Sequence, residues 1–233
     1  MIPVNKDDKP SAPAPAHPAE PRDAATVVML RDSGVKGVEV YLIKRSRMMD
    51  FMAGAHVFPG GRLDQADGSL EACAVRETFE EAGLRLDPAA LVSWVRWITP
   101  EISPRRFDAR FFLARAPEGQ EPRVDGVEAT EGLWITPMEA LGRWLDEDMQ
   151  LAPATAKCLD ALLAHGTVAE ALAAAARRPP PVMMPHVWND KESGRAYISL
   201  PGDPRHSVAQ DLLGGKILRL QLETGRYKPV KAA

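Results

Sequence analysis

The feature that most constrains this chain is a short segment in which two glycines precede a helix with three glutamates on one face. The segment reads Phe58-Pro59-Gly60-Gly61, then fourteen residues, then Arg76-Glu77-Thr78-Phe79-Glu80-Glu81-Ala82-Gly83-Leu84. The apolar spacing predicts a helix over 70–82, with Asp67 or Ser69 as its N-cap and Gly83 at its exit. A strand-loop-helix unit of this kind fixes where the three carboxylates lie.

The three glutamates form an unfavourable group unless a cation joins them. Glu77, Glu80 and Glu81 follow i, i+3, i+4 spacing, so their charges repel by roughly 0.2–0.5 kcal/mol per pair, close to the helix end where the dipole disfavours anions. Carboxylate oxygens are the ligands that Mg²⁺ and Mn²⁺ prefer, and these ions bridge protein carboxylates to phosphates. A solvated acidic face is the alternative. The spacing Arg-Glu-x-x-Glu-Glu-x-Gly, expected by chance in about one chain in 10⁴, favours the metal site.

The rest of the chain reads as a mixed α/β sequence. Strands are expected over 25–30 and 38–43, joined by a turn at 32–34, and again over 91–98 and 110–114. Helices are expected over 137–149 and, as a pair, within 152–177; strand signals return over 187–200 and 216–227, where they extend or cover the main sheet. Six prolines in the first 23 residues predict a disordered tail. We therefore expect a tail at 1–23, an α/β domain that follows it to about residue 150, and a helical plus β extension at 151–233.

Charge and cysteine content limit the classes of binding partner and the cellular compartments that we expect for this chain. Lys plus Arg number 29 against 32 Asp plus Glu, a net charge of −3 that offers no footprint for a polyanion. Cys73 and Cys158 are too few for a disulfide framework and are expected to be buried thiols. The sequence shows no apolar run of about 18 residues and no basic-apolar leader. A cytoplasmic protein without nucleic-acid or membrane partners is predicted.

The glycine-glutamate segment resembles the signature of the Nudix hydrolases, G-x5-E-x7-R-E-U-x-E-E-x-G-U, where U is an apolar residue. The resemblance covers roughly residues 24–150. It implies an α/β fold of the α+β type, with a mixed β-sheet sandwiched between helices. It also implies hydrolysis of a diphosphate linked to another moiety, with Mg²⁺ or Mn²⁺ as the cofactor.

Carried over position by position, the resemblance assigns roles within the segment. Glu77, Glu80 and Glu81 match the metal-ligand glutamates, and Gly60 matches the glycine whose carbonyl joins them. Arg76 is given a structural role, in which it orients the loop. Gly61 and Gly83 are expected because the backbone at their positions requires glycine. The chain has fourteen residues between Gly61 and Arg76 where the signature has thirteen. Its first glutamate position therefore falls on Gly68 or Asp67, and the loop is expected to differ locally.

A second resemblance, to coenzyme A diphosphatases, lies upstream. Arg45, Ser46 and Gly54 fit that motif ahead of Phe58-Pro59-Gly60-Gly61, whereas Tyr41, Ile43 and Asp50 replace its Leu, Thr and second Arg. The stretches 51–58, 63–67, 97–100 and 104–112 look like the animal peroxisomal acyl-CoA diphosphatase branch. Arg45, Arg105 and Arg106 are the expected substrate ligands, because guanidinium groups bind phosphate in a bidentate manner. A solvated loop pair is the alternative for Arg105 and Arg106.

Splitting a diphosphate requires a carboxylate that takes a proton from the attacking water. Many Nudix enzymes supply this base from a later loop, and Glu128 is the preferred candidate here. Glu131 and Glu101 are its rivals, and Glu81 on the helix is a further one. The predicted catalytic set is therefore Glu80, Glu81 and Glu128.

The sequence as a whole favours a metal-dependent hydrolase of CoA or acyl-CoA. The alternatives are a pyrophosphatase acting on ADP-ribose, a dinucleotide or a nucleoside triphosphate, and a ligand-sensing module that uses the scaffold without turnover. The expected partner is a small-molecule diphosphate, and a homodimer is left open.

Overall fold

The computed structural model describes residues 19–34, 37–46, 48 and 52–230. Within these residues the helices are α1 (Leu70–Ala82), α2 (Pro137–Leu145), α3 (Pro153–Leu162) and α4 (Val168–Ala176). The strands are β1 (Arg22–Asp32), β2 (Val38–Arg45), β3 (His56–Val57), β4 (Gly60–Arg62), β5 (Val92–Ile98), β6 (Phe107–Arg115), β7 (Ala129–Ile135), β8 (Val182–Met183), β9 (His186–Asn189), β10 (Ala196–Ser199), β11 (Arg219–Glu223) and β12 (Arg226–Pro229).

The main sheet is mixed, as expected. Its strand order is β3-β2-β1-β6-β5-β8, with β4 paired to β1 and β7 paired to β2. The β1–β6 and β5–β8 pairs are parallel, and the other pairs are antiparallel. The predicted hairpin is confirmed, because β1 pairs with β2 in the register Leu30 to Val40. The long strand β1 is thus at the centre of the sheet, where it pairs with β2, β4 and β6.

Two apolar cores lie on opposite faces of this sheet. On one face, Val27 and Met29 pack against α1 through Cys73 and Ala74. On the other, Val28 and Leu30 belong to a larger core. That second core includes residues of α2, α3 and α4 and of the carboxyl-terminal strands, among them Trp144, Leu159, Val168, Ile198, Leu220 and Tyr227. The alternation along β1 places one face of the sheet against α1 and the other against α2, α3 and α4, which is the sheet between helices that the resemblance implies.

Helix α1 begins and ends where its capping residues require. The Ser69 hydroxyl accepts a hydrogen bond from the Ala72 N–H at 3.1 Å. At the other end Gly83 adopts φ +67°, and its N–H donates to the Phe79 carbonyl at 2.8 Å. The predicted bounds 70–82 are confirmed, with Ser69 as the cap. The glutamate face is therefore fixed by local sequence alone.

The carboxyl-terminal strands form a sheet of their own. Its order is β12-β11-β10-β9, all antiparallel, and it joins the larger core through Ile198 and Leu220. Of the two expected arrangements these strands therefore cover the main sheet; only short β8 extends it. The prediction of a helix over 137–149 is wrong at its end, because α2 stops at Leu145 and Glu147 takes φ +66°.

Other sequence expectations have plain outcomes. Strand β1 begins at Arg22, inside the predicted tail 1–23, of which residues 1–18 lie outside the described residues. Cys73 and Cys158 are buried free thiols, as predicted. In the described part of the chain, every helix is too short or too polar to cross a lipid bilayer.

A tight contact between β7 and β2 gives a stability prediction. A Cβ added at Gly132 would lie 2.7 Å from Tyr41 Cζ, and Tyr41 is buried, so the ring has no room to move. We expect Gly132→Ala to lower the free energy of unfolding by about 1–3 kcal/mol through overpacking. Urea denaturation measures the change. Gly142→Ala, where nothing lies within 4 Å, is the control and is expected to be neutral or stabilising.

Candidate active site

One cavity of about 760 Å³ collects most of the residues that the sequence singled out. It lies beside β4 and α1 and reaches the segments that follow β5 and precede β7. The expected site residues on its lining are Arg45, Gly60, Gly61, Arg76, Glu77, Glu80, Glu81 and Glu128. Residues far apart in the sequence, from β2 to the loop before β7, therefore face a common space.

The two glycines of the turn are required by close packing. A Cβ at Gly60 would lie 2.6 Å from Thr26 Cα on β1, and a Cβ at Gly61 would lie 2.5 Å from the Glu77 carboxyl carbon. Both approaches are shorter than carbon atoms tolerate. Gly60 thus lets β4 pair closely with β1, and Gly61 leaves room for the Glu77 side chain.

Glu81 is the most enclosed of the three helical glutamates. It is only 4% exposed, and its Oε2 accepts a hydrogen bond from the Gly60 N–H at 2.8 Å. Burial raises its pKa from the ordinary value of 4.5 to about 7, while the Gly60 hydrogen bond opposes the rise. Glu77 and Glu128 add to the increase through their negative charges, and Arg45 opposes it. The folded chain therefore holds a carboxylate that is costly to ionise.

Glu77 and Glu80 share the guanidinium of Arg76. Nη1 of Arg76 donates to Glu77 Oε1 and to Glu80 Oε2, each at 2.9 Å. Glu77 is largely buried, and that burial raises its pKa, whereas the Glu80 side chain is 54% exposed. Arg76 thus supplies positive charge at the place where the glutamates concentrate negative charge.

Asp67 fixes Arg76 from the other side. Nε and Nη2 of Arg76 donate to the two Asp67 oxygens at 2.7 and 2.9 Å, and Nη2 also donates to the Arg62 carbonyl at 3.1 Å. The hydrogen bonds from Arg76 lower the pKa of Asp67 to about 2. Asp67 is one of the two positions on which the first glutamate of the signature falls. The lengthened loop therefore places the Asp67 carboxylate where it holds Arg76.

The donor set has the chemistry that a divalent cation needs, although its members are held apart. Among the described residues, no three acidic, histidine or cysteine side chains stand together in an arrangement that would hold an ion. Arg76 binds Glu77 and Glu80, while Glu81 is turned to the Gly60 N–H. All three glutamates nevertheless line one cavity, and burial disfavours the charge on two of them. A hard cation would offset that cost, so the residues fit Mg²⁺ or Mn²⁺.

Glu128 faces the same cavity from a loop with a fixed backbone. The Asp125 carboxylate accepts N–H groups from Val127, Glu128 and Ala129 at 3.2, 3.0 and 2.9 Å. The Glu128 carbonyl also accepts the Ser46 N–H at 2.8 Å, which ties the loop to the end of β2. Sequence reasoning missed Asp125, although an Asp-Gly pair ahead of a strand is a turn signal.

The two rival bases from loops and strands, Glu131 and Glu101, lie outside this cavity. Glu131 is on β7 and forms an ion pair with Lys44 at 2.8 Å, and Glu101 is exposed; neither lines the cavity. His56, which lies two residues before Phe58, is buried, and its ring nitrogen contacts the Gln150 carbonyl at 3.3 Å; it is not on the lining of the cavity. Of the loop glutamates considered, only Glu128 is brought to the cavity.

The three arginines expected to bind substrate are separated. Arg45 lines the cavity, whereas Arg105 and Arg106 do not. Arg106 is buried, and its guanidinium donates to the carbonyls of Thr99 at 3.0 Å and Ala19 at 2.9 Å. It therefore fastens the start of the described chain to the loop after β5. Nothing in the motif reveals this use, because its partners are main-chain carbonyls.

The raised pKa of Glu81 has a consequence for stability. Because the folded state binds this proton more tightly than the unfolded state, the free energy of unfolding falls as pH rises from about 4.5 to about 7. We expect Glu81→Gln to stabilise the metal-free protein on the order of 2 kcal/mol at pH 8 and much less at pH 4.5. Denaturant titrations in chelator at both pH values measure this. Glu80→Gln is the control, because the Glu80 side chain is half-exposed, and it should not raise the free energy of unfolding in this way. An equal increase in both variants would contradict the role given to the burial of Glu81.

Comparison with known proteins gives a consistent picture. The sequence model of the NUDIX domain matches residues 20–159. A Nudix hydrolase from Alicyclobacillus acidocaldarius superposes with TM-score 0.62 and 26% identity, over 69% of this chain and 99% of that one.

Two curated relatives carry more specific names. The peroxisomal coenzyme A diphosphatase ndx-8 of Caenorhabditis elegans is 36% identical over 72 residues, which is 30% of this chain and 31% of that protein. The human acyl-coenzyme A diphosphatase NUDT19 is 25% identical over 224 residues, covering 53% of this chain and 60% of that protein. The matches thus span between about a third and three fifths of these relatives' length.

Proposed function

The chain belongs to the Nudix family, and from that premise we propose that it is a divalent-metal-dependent hydrolase of a diphosphate linked to another moiety, with CoA or acyl-CoA as the preferred substrate. The observation that carries the proposal is that Glu77, Glu80, Glu81 and Glu128 line one cavity. The names of the CoA and acyl-CoA diphosphatase relatives, at modest identity, support the choice of substrate.

Nudix hydrolases generally use divalent metal ions, and Glu77, Glu80, Glu81 and the carbonyl of Gly60 would hold Mg²⁺ or Mn²⁺ in this chain. Such an ion, when bound there, would supply positive charge to the phosphoryl oxygens and so favour attack on phosphorus. Arg76 then serves as the group that positions Glu77 and Glu80, since Asp67 holds its guanidinium in place.

The remaining chemistry is assigned to side chains of the chain itself. Attack by water on one phosphorus forms a P–O bond and breaks the bond to the bridging oxygen, which leaves with the other phosphate. The water's proton passes to a carboxylate, for which Glu128 is preferred and Glu81 is the alternative. Glu128 suits this role because Asp125 fixes its loop at the cavity. Arg45 is proposed to bind a substrate phosphate; Asp50, whose negative charge weakens the motif, lies outside the described residues.

Product analysis over a panel of diphosphates tests the function. Purified protein is incubated with CoA, acetyl-CoA, ADP-ribose, NADH and dNTPs, each with Mg²⁺ and with Mn²⁺, and the products are separated by chromatography. We expect CoA or acetyl-CoA to give a phosphopantetheine product and adenosine 3′,5′-bisphosphate. Preferred cleavage of another member would reassign the substrate. Binding without release of any phosphate-containing product would establish the sensing alternative.

The partners and the location stay predictions. We propose a small-molecule diphosphate as the partner and leave the homodimer open. A cytoplasmic location is proposed as well, while the relative from Caenorhabditis elegans bears a peroxisomal name.

A further inference from the structure

The cavity extends well beyond its glutamates into an apolar compartment. We use this name for the part lined by Trp97 and Phe111 of the main sheet and by Ala154, Ile198 and Tyr227 of the carboxyl-terminal extension. The extension thus forms part of the same space as Glu77 and Glu81. A ligand held at the glutamates has this compartment as its continuation.

The wall contributed by the extension is built into the fold. Ile198 and Tyr227 belong to the same apolar core as Trp97 and Phe111. Strand β8 pairs with β5 directly at Trp97, and the Arg96 N–H donates to the Pro181 carbonyl at 2.9 Å. The compartment is therefore preformed, which lowers the ordering cost of binding a ligand there.

The surface of the compartment suits a chain better than a nucleobase. The rings of Trp97 and Phe111 are inclined at 52°, and Phe58 meets Phe111 at 87°, so these aromatic side chains offer no parallel pair to sandwich a purine. The nearby hydroxyls of Thr99 and Ser103 already bond the main chain, at the Phe107 N–H and the Arg105 carbonyl. Reading a base edge requires polar groups placed for that purpose, whereas an alkyl chain requires only apolar area.

The size of the cavity points the same way. A volume of about 760 Å³ falls within the roughly 300–1,000 Å³ typical of pockets that enclose whole organic ligands. A diphosphate group alone would leave much of it empty, and the lining away from the glutamates is mostly apolar.

We propose that the apolar compartment binds the outer end of the arm that is attached to the diphosphate, which in an acyl-CoA is the acyl group on the pantetheine thiol, and that Ala154, Ile198 and Tyr227 determine which acyl groups are accepted. This rests on the proposed function and adds to it a role for the extension in specificity. Ala154 is the best residue to change, because it lines the cavity in the first turn of α3 and is only partly buried. A larger side chain there fills the compartment without removing core contacts.

The test compares chain lengths in the full protein with Mg²⁺ or Mn²⁺. The measured quantity is the ratio of kcat/KM for decanoyl-CoA to kcat/KM for acetyl-CoA. We expect Ala154→Leu to lower this ratio about 10-fold, since a few carbon atoms in an apolar pocket change discrimination by that order. Ala173→Leu, an exposed position on α4 of the same extension, is the matched control and should leave the ratio unchanged.

The outcomes separate this inference from the proposed function. If acetyl-CoA is hydrolysed but the ratio is the same in both variants and wild type, the compartment does not select the arm. Equal losses on decanoyl-CoA, acetyl-CoA and ADP-ribose in Ala154→Leu would instead place the nucleoside there, and would also overturn the inference.

If no diphosphate is hydrolysed, the proposed function fails and calorimetry in metal-free buffer still decides the inference. Wild type should then bind decanoyl-CoA about 10-fold more tightly than Ala154→Leu does, with equal affinities of the two for ADP-ribose. Chain-independent binding would contradict the compartment's role.

Discussion

Glu81→Gln is expected to lower kcat for the preferred diphosphate by about 10³-fold, within the range seen when a proton-transferring or charge-stabilising group is lost. The substitution is nearly isosteric, and the Gly60 N–H retains an oxygen acceptor in place of the one it contacts at 2.8 Å. What disappears is the negative charge that burial makes costly and that the proposed reaction requires. Steady-state rates at saturating metal measure the loss.

The same variant gives an internal control. Glu81→Gln should fold normally and unfold at higher denaturant than wild type in chelator at pH 8, so loss of activity cannot be ascribed to loss of structure. Under the proposed function, the stability cost of Glu81 is the kind of cost that active sites carry in natural proteins. Wild-type activity in this variant, or a variant that is both inactive and less stable, would contradict the role given to Glu81.

Gly61→Ala is expected to lower kcat about 10²-fold although it adds a single methyl group. The new Cβ would lie 2.5 Å from the Glu77 carboxyl carbon, so the side chain must move. Displacement of a catalytic group by about 1 Å costs on the order of 10²-fold in rate. The apparent metal affinity, from the dependence of rate on Mn²⁺, should weaken together with kcat.

A matched glycine provides the comparison. Gly34→Ala adds the same methyl group where nothing lies within 4 Å, and it should leave both parameters unchanged. If Gly61→Ala retained wild-type rate and metal dependence, Glu77 would not need its present position, and its assignment to the metal site would fail.

Local signals predicted what lies near in the sequence. The bounds of α1 followed from Ser69 and Gly83, whose hydrogen bonds involve residues within one helical turn. Strand β7 was not identified, because its Gly132 and polar residues are acceptable only through pairing with β2, about ninety positions away. The separate carboxyl-terminal sheet depends in the same way on pairings between strands that the local pattern does not specify.

The residues of the candidate site also fall into those that local sequence predicts and those that depend on distant contacts. The signature singled out Glu77, Glu80, Glu81, Gly60 and Gly61, all of which lie on one strand-loop-helix unit. It did not predict the close approaches to Thr26 and Glu77 that leave no room for a side chain at the two glycines. The signature did not predict which groups each side chain contacts in the folded chain. Arg76 donates hydrogen bonds to Asp67, and Arg106 donates to main-chain carbonyls. Ile198 and Tyr227 of the extension line the cavity. Each of these contacts forms only in the folded chain.

The crowded glutamates of α1 are proposed to bind a divalent cation. Crystals soaked in millimolar Mn²⁺ and measured at the manganese absorption edge test it most directly. We expect anomalous density within about 2.0–2.3 Å of carboxylate oxygens of Glu77, Glu80 and Glu81, with Arg76 released from at least one of them. Carboxylates still held by Arg76 and the Gly60 N–H, with no manganese among them, would contradict it.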